Sequence, residues 1–220
     1  MAERSPTLAE RVSPGQTALV VIDMQNDFVH PDGANGAWIR ARWEADKTPL
    51  EARVNPMEPI VERLVGLIEA ARAVGVPVIW CKVVNTPETD ARYWRSERWT
   101  FCQEGLWGAE WYRGLAPKPG ELEIVKSRHS AFFGTDLDRV LRRRRIETVV
   151  LAGTATHGCV EGTARDAMAH DFWTVVAGDC CGQLDMVAHE QALQRIDRLF
   201  GMAAGADAIA RAWAASPLRQ

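Results

Sequence analysis

No stretch of this 220-residue chain approaches the roughly 18 consecutive apolar residues that a bilayer-spanning helix requires. The opening segment, Met1 to Ser13, is charged and has no apolar h-region. Neither a membrane span nor a secretory leader is expected, and the chain reads as cytoplasmic. An excess of positive charge is missing too. The formal net charge is -3, and the one basic run, Arg142 to Arg145, falls at the end of an expected helix, where it reads as a solvated face. There is no electrostatic case for nucleic acid or an anionic membrane as a partner. The five cysteines (Cys81, Cys102, Cys159, Cys180, Cys181) form no CxxC pair and no regular spacing. A disulfide framework and a zinc site are therefore not indicated, and the thiols are expected to be reduced. No internal repeat is present.

What remains, with 47% hydrophobic and 25% charged residues, is enough for one sizeable α/β domain spanning residues 1–220. Thr17 to Ile22 (TALVVI) is a continuous apolar run of the kind that makes a buried parallel strand, and it stops abruptly at Asp23, Met24, Gln25, Asn26 and Asp27. From Met57 to Val74, apolar residues recur at helical spacing (Ile60, Leu64, Leu67, Ile68, Ala71). Gly75 then ends the helix before a strand from Pro77 to Cys81. This is a β-α-β unit, whose crossover is right-handed in nearly every case. Glu123 to Val125 reads as a strand running into Lys126, Asp136 to Arg143 as a helix with Thr135 as its N-cap, and Thr148 to Ala152 as another strand. Trp173 to Ala177 is a further strand with Gly178 to Gln183 as its exit loop, followed by helices at Met186 to Phe200 and Ala206 to Ala214. The alternation predicts a three-layer α/β/α sandwich around a mostly parallel, doubly wound sheet.

Two segments, about 30–56 and 85–120, have no clear period and read as long excursions. Six of the nine tryptophans lie there (Trp38, Trp43, Trp94, Trp99, Trp107, Trp111). Large aromatics in irregular segments either wall a ligand pocket or bury a subunit contact, and both readings stay open.

Three polar residues stand at carboxyl ends of expected strands, where open parallel sheets bind their ligands. Asp23 is a candidate acid or base, or else a turn cap. Lys126 is a fixed positive charge if drawn into a cleft, or else a solvated surface group. Cys159 lies on the strand-to-helix turn of VVLAGTATHGCVEGTARDA. There the free N–H groups of a helix start are expected to stabilise a thiolate and bring its pKa below roughly 8.5. The competing reading of Cys159 is a small buried hydrophobe.

The DMQNDF run from Asp23, Lys126 with SAFFGTDLD four residues on, and GTATHGCV ending around Cys159 resemble the cysteine-hydrolase branch of the isochorismatase-like superfamily. The similarity extends from Thr17 to Phe200. It implies amide or ureido C–N hydrolysis through a covalent thioester-type intermediate. Asp23 would move the proton, Lys126 would fix Asp23, and Cys159 would be the nucleophile. By the same resemblance the Thr154–Ala155 peptide is expected to be cis, with the backbone N–H groups of Ala155 and Cys159 as an oxyanion hole.

Nicotinamidase members carry a metal-binding segment with histidines after the second strand. Val83 to Trp94 has no histidine, so neither a metal nor another cofactor is expected. Isochorismatases proper lack the cysteine. The FFGTDLD, GTARDAM and DCCG wording is most similar to the ureidoacrylate, biuret and N-carbamoyl amidohydrolase group, which implies a small-molecule ureido or carbamoyl substrate. Phe28, Trp107, Trp111 and Gln183 are candidate pocket walls, with ordinary packing as the other reading of each. The family's habit of forming dimers or tetramers, together with the apolar excursions, implies a homo-oligomer. Three alternatives stand beside this reading: a nicotinamidase-like or isochorismatase-like hydrolase, a thiol-redox protein using Cys180 and Cys181, and a catalytically silent oligomeric scaffold.

Overall fold

The computed structural model describes residues 6–46, 57–88, 101–182 and 185–215, with the backbone alone at positions 39, 42, 43, 45 and 46. Its centre is a six-stranded sheet in the order β3-β2-β1-β4-β5-β6, formed by Thr17–Ile22 (β1), Val78–Val83 (β2), Leu122–Lys126 (β3), Thr148–Thr154 (β4), Trp173–Gly182 (β5) and Met202–Ala204 (β6). Every pairing is parallel, which sharpens the expectation of a mostly parallel sheet. The continuous apolar runs of β1 and β4 are buried along their whole length, as strands covered on both faces must be.

Side chains alternate between two cores. Leu19 and Val21 face a layer made by Met57–Ala73 (α4) and Ala206–Ala215 (α8), through Leu64, Leu67, Ile68, Ile209 and Trp213. Ala18, Val20 and Ile22 face the opposite layer of Leu137–Arg143 (α5), Glu161–Ala169 (α6) and Met186–Leu199 (α7), through Leu137, Leu141, Ala164 and Ile196. The chain winds from β1 outward to β2 and β3, then returns to start β4 on the other side of β1. The topological switch point therefore lies between β1 and β4, the place where open parallel sheets leave a ligand crevice beyond the strand ends. Gly153 makes that junction tight. Its φ is +126°, and a Cβ there would lie 2.0 Å from the Ile22 carbonyl oxygen, so only glycine lets the end of β4 come this close to β1.

Four expectations are corrected. The excursion at 30–56 contains a helix, Ala34–Asp46 (α3), after the short Asn26–Val29 (α2). The weak apolar period of α3 hides it, and residues 47–56 lie outside the described set. The strand expected to end at Ala177 continues to Gly182, because a register shift between Leu151 and Gly153 lets β4 go on pairing beyond Gly178. Cys180 and Cys181 are therefore adjacent strand residues that face opposite cores, both fully buried, and not members of an exit loop. That placement removes the physical basis for a redox pair. The strand β6 has only three residues and was not expected. Finally, the N-cap position of α5 is Asp136; Thr135 Oγ1 still accepts from the Leu137 N–H at 3.2 Å. Among the described residues no helix is long and apolar enough to cross a membrane.

Candidate active site

Asp23, the first residue beyond β1, adopts a left-handed backbone with φ of 51°, a conformation that aspartate tolerates better than most residues. Its neighbours hold it there. The Asp23 N–H donates to the Cys81 carbonyl at 2.8 Å. The Asp23 carbonyl accepts from the Gln25 N–H at 2.8 Å and from Thr154 Oγ1 at 3.1 Å. The turn thus ties β1 to both neighbouring strands, and the carboxylate points into the crevice instead of capping a turn. Gln25, fully buried, donates from Nε2 to the Val83 and Ala109 carbonyls and accepts from the Val83 N–H. Asn26 Nδ2 donates to the Trp107 carbonyl, and the Asp27 carboxylate accepts from the N–H groups of Ala34 and Cys102. Most of the polar wording of DMQND therefore pins residues 101–111 beside the crevice. This structural role was not apparent from the sequence.

Lys126 closes β3 with no side-chain surface exposed. Its Nζ donates to Asp23 Oδ2 at 2.7 Å, to the Arg128 carbonyl at 3.0 Å and to Cys159 Sγ at 3.4 Å. Burial works against its charge, but the Asp23 carboxylate, with the Cys159 and Cys81 sulfurs adding to it, outweighs that and holds Lys126 protonated well above the usual lysine range. The second carboxylate oxygen, Asp23 Oδ1, is buried without a hydrogen-bond partner among the described residues. The Cys159 thiol stands beside this carboxylate and feels its charge.

The thiol arrives from β4. The Thr154–Ala155 peptide is cis, in agreement with the resemblance, and Thr156–Val160 forms a single π-type turn leading into α6. Thr156 Oγ1 donates to the Gly182 carbonyl at 3.0 Å. With its one proton so used, it accepts from His189 Nδ1 at 2.9 Å, which ties the turn to β5 and α7. Thr163 Oγ1 donates to the Cys159 carbonyl at 2.7 Å and accepts from the Ala131 N–H. Glu161, next but one to Cys159, is buried in ion pairs with Arg165 and Arg195 that fix α6 on α7.

The expected depression of the Cys159 pKa does not occur. Burial first, and then the Asp23 carboxylate, push the thiol up to about 12 against the pull of Lys126. Reading the helix start alone omitted the carboxylate that the fold brings to the sulfur. At rest Cys159 is a protonated thiol with the Asp23 carboxylate beside it.

The candidate walls divide. Phe28 is half-buried, with its ring 5.3 Å from Phe101 at the base of the second excursion. Trp107 is 47% exposed and meets His30 edge-on at 5.1 Å. This loop borders the crevice: burial raises the Cys102 thiol, and the Asp23 carboxylate adds to the effect. Trp111 packs instead against the core on the α4 and α8 side of the sheet, edge-on to Trp80 at 5.3 Å, with its indole N–H donating to Glu123 Oε2 at 2.9 Å. Gln183, Trp94, Trp99 and the Trp43 side chain lie outside the described set. One neighbour of the sulfur had no signal as a site residue in the sequence: His129 Nδ1 lies 3.5 Å from Cys159 Sγ.

The isochorismatase domain matches residues 17–208. The ureidoacrylate amidohydrolase RutB of Stutzerimonas stutzeri is 30% identical over 233 aligned positions, covering 97% of this chain and 88% of that protein. An isochorismatase family protein from Desulfovibrio vulgaris superposes with a TM-score of 0.72 at 32% identity, covering 88% of this chain and 96% of that one. A cysteine hydrolase from Pseudomonas syringae pv. phaseolicola shares the fold over 99% of this chain and 100% of its own, with a TM-score of 0.78 at 24% identity. A family match across most of the chain, on a sheet whose switch point gathers an aspartate, a lysine and a cysteine, makes this protein a hydrolase of the isochorismatase family.

Proposed function

We propose that this protein hydrolyses a C–N bond of a small ureido or carbamoyl compound, with release of ammonia, through a thioester on Cys159. The observation that carries the proposal is the unpartnered, buried Asp23 Oδ1 beside a thiol that is still protonated, with Asp23 Oδ2 held by a charged lysine. As Sγ attacks the substrate carbonyl carbon, its proton passes to Asp23 Oδ1. The carbonyl oxygen gathers the negative charge and is received by the backbone N–H groups of Ala155 and Cys159. When the C–N bond breaks, the proton on Asp23 goes to the departing nitrogen. Water then attacks the thioester and gives a proton to Asp23, and that proton returns to sulfur as the C–S bond breaks. Lys126 stays charged throughout and keeps Asp23 oriented.

The ureido assignment is supported by the similarity to ureidoacrylate amidohydrolases and by the chemistry of the site. A planar carbonyl flanked by two nitrogens needs an oxyanion hole on one side and acceptors for N–H groups on the other. Ammonia release from biuret, ureidoacrylate, N-carbamoyl amino acids and nicotinamide, with isochorismate loss followed separately, tests it. A ureido compound should be turned over at least about tenfold faster than nicotinamide or isochorismate, a gap typical of a pocket built to pair its substrate's polar groups. Preference for either of the latter by a similar factor would refute the substrate class.

Prolonged dialysis against a chelator is expected to leave the rate unchanged, since the segment from Val83 to Trp94 offers no histidine ligand. A loss restored by zinc, iron or manganese would move the protein toward the nicotinamidases.

A further inference from the structure

We infer that His129 is a second hydrogen-bond donor to the catalytic sulfur, steadying the Cys159 thiolate from the solvent side as Lys126 does from the buried side. The inference rests on Cys159 being the nucleophile and adds a residue to its machinery. His129 Nδ1 is 3.5 Å from Cys159 Sγ, within the reach of a hydrogen bond to sulfur, while the residue is in part open to solvent. In the proposed mechanism the thiol proton goes to Asp23 Oδ1, which has no other hydrogen-bond donor among the described residues. The nitrogen facing the sulfur then serves as a donor, so Nδ1 carries the hydrogen of the neutral ring.

The position of His129 is built by the fold. The Arg128 carbonyl just before it accepts from Lys126 Nζ at 3.0 Å. The Ala131 N–H two residues later donates to Thr163 Oγ1 at 3.0 Å, and the same hydroxyl holds the Cys159 carbonyl. Between these anchors the imidazole rests on a floor of two glycines in the nucleophile segment. A Cβ at Gly158 would lie 3.6 Å from His129 Nδ1, and one at Gly162 would lie 3.4 Å from His129 Cβ. The histidine is seated against the backbone that carries Cys159.

The charged and titratable groups facing the ring are Lys126 on β3, Asp23 beyond β1, and Cys159 and His157 on the nucleophile turn. Burial first, and then the Lys126 cation, hold His129 below the ordinary histidine value. Around neutral pH the ring is an uncharged donor. Beside a thiolate the ring holds its second proton to higher pH than beside the neutral thiol. A thiolate next to an imidazolium holds the same number of protons as a thiol next to an imidazole. While the thiol form still carries a neutral ring, above the His129 titration, the thiolate population therefore falls more slowly with pH than for an isolated thiol; below that titration it falls as steeply.

The test of His129 itself needs no substrate; only the Cys159→Ala control is also assayed for hydrolysis. Alkylation of the full chain by iodoacetamide is followed by intact mass from pH 5 to 9, with Cys159→Ala as the blank for the four buried cysteines. His129→Phe, which keeps a ring but removes the donor, should slow alkylation of Cys159 at pH 8 by about tenfold, the usual scale for one hydrogen bond to a charged group. His129→Asn, whose amide nitrogen falls near the position of Nδ1, should stay within about threefold of wild type at pH 8. Between pH 8 and the ordinary imidazole value of about 6.5, where the resting His129 ring is neutral, the wild-type rate should fall with pH less steeply than that of His129→Asn.

Two results overturn the inference: alkylation of His129→Phe at the wild-type rate, or identical slopes in wild type and His129→Asn. Should His129→Phe fail to fold, the smaller His129→Asn decides through the slopes alone. If Cys159→Ala is inactive while His129→Phe alkylates normally, the role of His129 falls and the nucleophile stands. An active Cys159→Ala removes the proposed function itself.

Discussion

Cys159→Ala should lower hydrolysis of the best substrate by a factor on the order of 10⁵, the scale seen when a covalent nucleophile is removed from a catalytic unit. Its thermal unfolding should change by less than about 1 kcal/mol. The two halves of this expectation have separate causes. The rate falls because no other cysteine can form the acyl intermediate: Cys81, Cys102, Cys180 and Cys181 are fully buried, and burial raises each of their thiols. Stability holds because Cys159 is only partly buried at the edge of one core, and the Lys126–Asp23 ion pair persists without the sulfur. Cys159→Ser keeps a hydroxyl beside the same base, but an alcohol yields its proton far less readily than a thiol, so it should be similarly inactive. A rate within tenfold of wild type in either variant would mean that water attacks the substrate directly and no thioester forms.

Much of this arrangement could be read in the sequence because each active group sits where a buried apolar run ends. TALVVI stops at Asp23, the strand LEIVK stops at Lys126, and TVVLAGT feeds the turn that carries Cys159. Parallel strands put their carboxyl ends on one edge, so strand ends far apart in sequence converge without any knowledge of side-chain packing. What could not be read depends on contacts made only after folding. The strand containing Cys180 and Cys181 is extended by its pairing with β4, although its glycines signal a loop. The three residues of β6 are too few to show a period. The helix α3 escapes because its apolar residues do not gather on one face. The thiol was misjudged for the same reason: a helix start is local, whereas the opposing carboxylate comes from a residue 136 positions away in the chain. His129 lies in no strand and carries no spacing signal, and only the glycine floor of a distant turn brings it to the sulfur.

Lys126→Met should destabilise the protein by about 3 to 5 kcal/mol, because it leaves the Asp23 carboxylate buried without its cation. In a chain of this size that corresponds to a fall in Tm of roughly 6 to 20 °C. Both side chains are fully shielded from solvent, so water cannot take over the role of the ammonium group. Asp23→Asn alone strands the lysine charge instead and should also cost stability. Asparagine is chosen because it accepts the left-handed backbone of this position as readily as aspartate. The double variant Asp23→Asn/Lys126→Met removes both charges and keeps side chains of similar size, so it should recover most of the loss in Tm. Activity should behave differently. Each single variant should lose most of it, and the double variant should be no worse than the more damaged single one, because proton transfer fails once either partner is missing. Recovery of stability without recovery of rate is the signature of a charge pair maintained for chemistry at the expense of packing. If the double variant were instead as unstable as the sum of the two single ones, the ion pair would not be the source of the loss. If Lys126→Met kept full activity, Lys126 would not be what holds Asp23 in place.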